Sequence, residues 1–539
     1  MDDRRRPDAA EVADYGCAHP VAFAQRRARP RRAACGFFCF LLTLPSLGCG
    51  LEDSPEESKD PVIVRIGVPE AEVSAPDMGL PQVANILSME GLTFRGDDGR
   101  ARPRLAESWT SSPDGLTWRF TMRRGVTFHD GTPVTAEAAA ATLRAAMTNR
   151  AGLAMFPGLA DVVSIDTAGP AEVIITLKRR STFLPEDLHY PISRRLPDKS
   201  VVGTGAFKTV SSRASEIVMK RNESYHQGRP HIAHVVIRPY PTLRTAWASL
   251  MRNEIDVLWD VSRDAVEFVG SSDVALYSYR RTYVYVIALN NNHPKLKQTP
   301  VRRALNAAVN RKALIGTALK GQGVPASGPL WTEHWAYDST LPGYVHDPSL
   351  AGAILDAAGL KPVTRLGGGR ARLTFTCILP EKWLTWERIA LDVQKQLYEA
   401  GIDMQLQVLP ADEFNRRIQT QEFDAAMIEL LSGTPYSRPY AFWRGADGDH
   451  PTSNVFGYKN RTVDRWFDAI RAAASDAEYR AAAGQLQRAL LEDPPALFLA
   501  WSQRTRAVSR RFSVPLEPGQ DPVANFWRWA PDASQRTTH

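Results

Sequence analysis

Apolar Trp118, Phe120 and Met122 alternate with Thr117, Arg119 and Thr121, which is the period of a strand with one buried face. Asp114-Gly115 and Arg124-Gly125 flank it as turn signals, and Asp130-Gly131-Thr132-Pro133 makes a second turn. Thr135 is placed to cap the Ala-rich helix that follows. Further strands are predicted at Val62–Ile66, Val173–Leu177, Ile217–Lys220, Val235–Arg238, Ile255–Trp259 and Tyr283–Leu289. Helices are predicted at Pro81–Gly91, Leu243–Arg252, Pro300–Asn310, Arg311–Leu319 and Ser349–Ala358. The clearest unit is a helix over Trp386–Ala400, with Ile389, Val393 and Leu397 on one face. Gly401 ends it, and a strand follows in which Ile402, Met404, Leu406 and Val408 alternate with polar residues. That helix–strand step is an α/β unit. Gly367-Gly368-Gly369 reads as a flexible loop.

Length adds that 539 residues exceed one core, so two or three domains are expected. The net charge of +7 is inflated by the first 48 residues, whose eight arginines and five acids leave +4 for the rest. No basic stripe of the kind nucleic acid requires is present. Arg26, Arg27, Arg29, Arg31 and Arg32 precede an apolar run from Ala33 to Leu44, too short to span a bilayer and suited to a signal peptide. Of the five cysteines Cys17, Cys35, Cys39, Cys49 and Cys377, four lie in the leader or at its cleavage point, and only Cys377 lies within the folded part. It falls in an apolar strand and is expected to be buried, with no internal disulfide.

Reactive constellations are missing. There is no G-x-S-x-G elbow, no H-E-x-x-H, no C-x-x-C pair, and no Lys three positions after a Ser. His231 and His234 are spaced for two metal ligands, but no carboxylate follows closely, and solvated histidines are the simpler reading. Gly203–Gly205 lacks the Lys and helix of a phosphate loop. The expectation is therefore no enzyme, no metal and no cofactor.

The segment Pro103–Glu137, PRLAESWTSSPDGLTWRFTMRRGVTFHDGTPVTAE, resembles the signature of the extracytoplasmic solute-binding proteins of peptide/nickel-type ABC importers, solute-binding family 5. Gly203-Thr204-Gly205-Ala206-Phe207, Arg221–Tyr225, Asn253–Val257, Val301–Arg311, Leu355–Gly359 and Ser453-Asn454 continue the resemblance in order and spacing, from about Pro61 to Trp501. It implies an α/β, periplasmic-binding-protein-like fold (type II, cluster C): two lobes joined by a two-strand hinge, with an extra domain inserted in lobe I. Mapped here, residues 1–48 are signal peptide and 49–60 an acidic tether; 61–94, 200–283 and 502–539 form lobe I. Residues 95–199 are the inserted domain and 284–501 lobe II. The chain then crosses between lobes near Tyr283–Val286 and Ala500–Gln503. Pro45-Ser46-Leu47-Gly48-Cys49 resembles a lipobox with Cys49 as the lipid-bearing residue, although Ser46 and Leu47 depart from its usual order; ordinary signal cleavage is the alternative. His129, Arg302 and Arg303 belong to family motifs and read as structural.

A cleft binding a solute wants aromatic walls and a few aimed polar groups. Phe423–Trp443, FDAAMIELLSGTPYSRPYAFW, offers both. In peptide binders of the family an Asp that pairs with the peptide α-amino group follows here; the aligned position is near Gly433, and that Asp is absent. Glu429, Thr434, Tyr436, Arg438 and Trp443 are the candidates instead. Arg438 offers a bidentate fork for a carboxylate or phosphate, or is an exposed loop arginine. Tyr436 and Trp443 either wall the ligand or pack the loop around Pro435 and Pro439. Trp331 follows Gly328-Pro329 in a loop that faces the cleft in the family, and Tyr283 and Tyr285 alternate onto one face at the first crossing. The resemblance implies a monomeric, periplasmic, lipid-anchored receptor that meets the membrane through its anchor only. It would capture a peptide-like or other small solute and deliver it to ABC permease subunits. The alternative is a ligand-sensing or chaperone-like binding protein on the same fold without a dedicated permease.

Overall fold

Alternation builds the inserted sheet. In the computed structural model, which describes residues 61–69, 79–148, 156–261, 273–364, 370–447, 452–516 and 520–532, Thr117–Met122 is a strand with Phe120 and Met122 buried. It pairs antiparallel with Ala106–Ser111 and with Glu172–Leu177, and Val162–Ala168 completes four strands. Thr135 caps the helix Ala136–Met147 by accepting from the Ala138 N–H, and Ala136, Ala139, Ala140 and Leu143 form its buried face. These elements share one core with Leu105, Phe128 and Ile175. His129 ties the unit to the rest: its backbone N–H donates to the Gly203 carbonyl, and Nε2 lies 3.0 Å from the Gly205 carbonyl.

The largest sheet among the described residues has eleven strands. Its order runs Phe207–Arg213, Glu216–Arg221, His234–Tyr240, Ile63–Pro69, Val257–Leu258, Ala496–Ser509, Val274–Leu289, Ala425–Leu431, Leu373–Pro380 and Ile402–Leu409, with Gly323–Pro325 paired beside Ala496–Ser509. Ile63–Pro69 is parallel to both its neighbours, and Leu373–Pro380 to both of its own. The two longest strands, Val274–Leu289 and Ala496–Ser509, pair antiparallel at the centre. At one end Val508 joins a core with Val64, Ile66, Phe207 and Trp259. At the other end Val284–Leu289 and Leu497–Trp501 join a separate and larger core with Val301, Cys377 and Val393. Both strands thus run from one core into another.

Between those ends the ladder breaks. Arg280 faces Gln503 and Val284 faces Trp501, so Arg281, Thr282 and Tyr283 stand opposite Ser502 alone. The freed Thr282 carbonyl accepts from the Ser432 and Gly433 N–H groups, at 3.1 and 3.0 Å.

Local chemistry explains where elements stop. The helix Thr299–Ala308 gives way to Arg311–Thr317 because Asn310 is extended and caps the second helix, its side chain accepting from the Ala313 N–H at 3.0 Å. Gly401, at φ +76°, follows the last turn of Leu384–Glu399. The stretch read from its prolines as a loop is in part a helix, Ser437–Trp443. Pro439 sits in its first turn, where a missing N–H leaves no bond unmade. The leader, the tether, Cys49 and the Gly367–Gly369 loop lie outside the described residues. Cys377 is fully buried and free. Among the described residues no helix is long and apolar enough to cross a membrane.

Candidate functional site

Three cavities meet around the break in the ladder. One, of about 230 Å³, is lined by Arg280, Arg281, Thr282 and Tyr283 together with Asp97 and Arg506. A second, of about 410 Å³, shares Ile86, Asp97 and Thr282 with it and adds Glu90, Arg95, Arg104, His189 and Thr434. A third, of about 290 Å³, shares Tyr283 with the first and adds Glu429 and several aromatic rings.

Strand register places Glu429 opposite Tyr285. Its carboxylate is buried between two guanidiniums, with Arg281 Nη1 at 3.3 Å and Arg504 Nη2 at 3.8 Å. Arg504 Nη1 also pairs with Asp260 at 2.9 Å. The Arg281 guanidinium lies 4.0 Å from the centre of the Tyr283 ring. Tyr285 is buried behind this cluster, its hydroxyl 3.5 Å from Ser502 Oγ, and burial pushes that hydroxyl's pKa up.

Around the cavity of about 410 Å³ the charges belong to segments far apart in the chain. Arg95 donates to the Thr434 carbonyl. Its pKa is lowered to about 10, by burial first and then by the charge of Arg438. Arg438 is 3 % exposed, so it is not a solvent-exposed loop arginine. It lies 4.3 Å from the centre of the Phe156 ring, with Nη2 3.5 Å from His189 Nε2. Burial and the two arginines hold His189 well below the usual imidazole range. Asp187 accepts from the Gly158 N–H and the Ser437 hydroxyl, both at 2.8 Å, and burial raises its pKa. Glu186 is raised further, by burial and then by Asp187. In the same cavity burial works to raise Glu90, yet hydrogen bonding and charge from His226, with Arg104, hold it below its ordinary value. The region therefore gathers two arginines around carboxyl groups that resist ionisation.

The expected site residues divide by placement. Tyr283, Glu429 and Thr434 line the cavities. Tyr436 is fully buried and stacks on His334 at 3.9 Å, and its hydroxyl has no hydrogen-bond partner among the described residues. Trp443 stacks on Phe456 at 5.1 Å, and Trp331 meets Trp501 edge-on at 4.9 Å; both are buried. The sequence reading did not name Arg95, His189, Asp187, Arg281 or Arg504. Arg281 carried a signal, one of two adjacent charges in a strand rich in aromatic and apolar residues. Among the described residues no group of three His, Cys, Asp or Glu is placed to hold a metal ion.

Segments on either side of the break also touch directly. Asp161 pairs with Arg471, Arg100 with Asp476 at 2.6 Å, and the Trp335 N–H donates to the Asp98 carbonyl at 3.0 Å.

Comparison with known proteins completes the assignment. The chain is 26% identical over 422 residues to the probable D,D-dipeptide-binding periplasmic protein DdpA of Escherichia coli, covering 73% of this chain and 78% of that one. The fold is similar to that of NikZ from Campylobacter jejuni, solved with Ni(L-His), with a TM-score of 0.72 at 20% identity over 87% of this chain and 99% of that one. It is also similar to AppA from Bacillus subtilis, solved with a nonapeptide, with a TM-score of 0.71 at 20% identity over 88% of this chain and all of that one. These likenesses identify the α/β fold of periplasmic binding proteins. Residues 100–452 match the profile of the bacterial extracellular solute-binding proteins, family 5 Middle. The chain belongs to the family 5 bacterial extracellular solute-binding proteins.

Proposed function

We propose that this protein is an extracytoplasmic receptor that encloses a small solute between two lobes and hands it to an ABC importer without catalysing a reaction. The observation that carries this reading is the break at Arg281–Tyr283: the two long strands lose register there, and cavities lie around it. In this reading residues 61–94, 200–283 and 502–539 are lobe I, 95–199 its inserted domain and 284–501 lobe II. Three hydrophobic cores that follow these sets, crossing them at Phe183 and Leu92, support the division. Tyr283, Glu429 and Thr434 wall the solute, Tyr285, Tyr436 and Arg438 stand behind them, and Trp331 and Trp443 stiffen the walls.

Two strands that lose register at one point give the lobes a hinge, and opening breaks the contacts across the cleft, such as Asp161 with Arg471 and Arg100 with Asp476. Solute that touches both lobes adds contacts only in the closed form, and that difference in affinity drives closure. The test is small-angle scattering on protein purified from its own host and on the same protein stripped of solute by unfolding and refolding. The stripped protein is expected to have the larger radius of gyration. If native mass spectrometry shows bound solute and the radius does not change on stripping, a preformed pocket must replace hinge closure.

Cys49, after the leader and before the acidic tether, is the proposed lipid site. Cys49→Ala is expected to move the protein from the membrane to the soluble fraction of the cell envelope. One acyl chain holds only marginally, so the several chains of a bacterial lipoprotein are what firm attachment requires. A Cys49→Ala variant that still sediments with membranes would exclude lipidation at this residue.

A further inference from the structure

Resting on that reading, we infer that the solute carries an oxyanion, a carboxylate or phosphate group, and that Arg95 holds it in the cavity that Arg95 lines together with Thr434. That cavity, of about 410 Å³, also has Phe94, Phe526 and Trp527 in its walls. A cavity of roughly 150 Å³ with apolar walls holds benzene, so this one has room for an acid with a ring or chain attached.

Arg95 is half-buried, and its guanidinium is set in place from one side only. Nη1 donates to the Thr434 carbonyl, and this is the one hydrogen bond of that side chain among the described residues. Nε and Nη2 form the planar fork that fits two oxygens of a carboxylate or phosphate. Unbonded nitrogens sealed from solvent include Nε of Arg438 and of Arg471, but neither atom of this fork. Other arginines of the chain have their acid close by: Arg302 pairs with Asp493, Arg444 with Asp468 and Arg506 with Asp521. No carboxylate among the described residues stands within ion-pair distance of Arg95.

The acids of the same cavity are engaged elsewhere. Glu90 accepts from Thr204 and Tyr225 and pairs with Arg104 and His226. Asp97 is solvent-exposed and accepts from Gln520 Nε2 at 2.9 Å. Asp187 and Glu186 act on Arg95 from beyond ion-pair distance, and burial with the charge of Arg438 outweighs them, so its pKa falls to about 10. A partly buried cation without a counter-charge is costly. An oxyanion brought by the solute relieves that cost through short, two-point hydrogen bonds to a charged donor. A neutral amide at this point offers one acceptor and no charge, and a cation offers neither.

The test begins with full-length protein from its own host, whose bound solute is released and read by mass spectrometry. A carboxylate or phosphate group is expected. The stripped protein is then titrated at millimolar concentration with two matched pairs, hippurate with hippuramide and phenyl phosphate with phenol. At least one anion should bind roughly tenfold or more tightly than its neutral partner, the weight of a hydrogen bond to a charged group. The pair with the larger ratio names the group. Arg95→Met removes the fork and should bring that ratio close to one. A merely structural role for Arg95 would weaken both members of a pair alike and leave the ratio unchanged. Circular dichroism and the melting temperature check that the variant is folded. If it is not, Arg95→Lys is read in its place: it keeps the charge, loses the fork and should shrink the ratio. A host solute with no acidic group, ratios near one in the natural protein, binding of none of the probes, or an unchanged ratio in the folded variant would overturn the inference. In each of these cases a host solute that still contracts the protein leaves the receptor reading standing. A protein that leaves its host without solute and has the same radius after stripping defeats that reading as well.

Discussion

Glu429→Gln is expected to lower the free energy of unfolding by about 3–5 kcal/mol, the range for removing one member of a buried ion pair. The substitution keeps the shape of the side chain and deletes its charge. Arg281 then loses the carboxylate at 3.3 Å and Arg504 the one at 3.8 Å, while Arg504 keeps its pair with Asp260. The loss is the cost of removing one charge from a buried cluster and says little about the net worth of the original cluster, since a fully apolar replacement of all members can be neutral. Because the Glu429 side chain is 1 % exposed, added salt should restore little of the loss. Urea unfolding followed by tryptophan fluorescence reads this most directly. The chain has several cores and need not unfold in one step, so the transition to compare is the one that exposes the core around Trp443 and Trp501. A shift under about 1 kcal/mol would mean that water already reaches the cluster, as it does at surface pairs.

How much of this was legible in the chain depends on how local each cause is. Thr135 as a cap, Gly401 as a helix stop and the Thr117–Met122 strand are set by neighbouring residues, and they could be read directly. Trp118 was expected on the buried face but is half-buried, since it lies toward the turn end of its strand, with its indole N–H donating to the Gly115 carbonyl. The helices Ala411–Thr420 and Asp476–Glu492 were not anticipated. The first buries only Phe414, and the second packs through small residues such as Ala482, Ala483 and Ala489, so neither presents a bold apolar stripe. The long strand was read only from Tyr283, because the charges of Arg280 and Arg281 obscure its first half, which begins at Val274. Glu429 stood out as an acid within an apolar run. Its partners did not, because Arg281, Asp260 and Arg504 are brought to it by the order of strands in the sheet, which alternation does not encode. The same holds for Arg95, Asp187 and His189. The prolines at 435 and 439 suggested a loop where half of the segment is a helix, because proline signals a break without saying on which side of a helix start it falls.

Acid should weaken this protein through His334, and the effect can be isolated. The ring is 3 % exposed and stacks on Tyr436 at 3.9 Å between centroids. Nδ1 accepts from the Ala336 N–H at 3.2 Å, so the neutral ring carries its proton on Nε2. A second proton would have to enter at Nδ1, lose that bond, and charge a ring sealed among aromatic neighbours. Burial first, and the nearby charge of Arg100 second, lower the pKa of His334 from 6.5 to about 3. The unfolded chain therefore takes up a proton below about 6.5 that the folded chain refuses until about 3. The stability tied to this histidine is complete above pH 6.5 and is lost progressively as pH falls toward 3, by about 2 kcal/mol at pH 5. Glu186 and Asp187, whose pKa values are raised, act with the opposite sign: their contribution is present at low pH and lost as pH rises through their folded values. The profile of the natural protein mixes the two. His334→Phe keeps a ring in the stack, cannot titrate, and leaves both carboxyls in place. The stability of the natural protein minus that of His334→Phe should therefore fall by about 2 kcal/mol between pH 7.5 and pH 5. A difference that stays level across this range would mean that the folded protein protonates His334 as readily as the unfolded chain, and that solvent reaches the stack where the Trp335 N–H meets the Asp98 carbonyl.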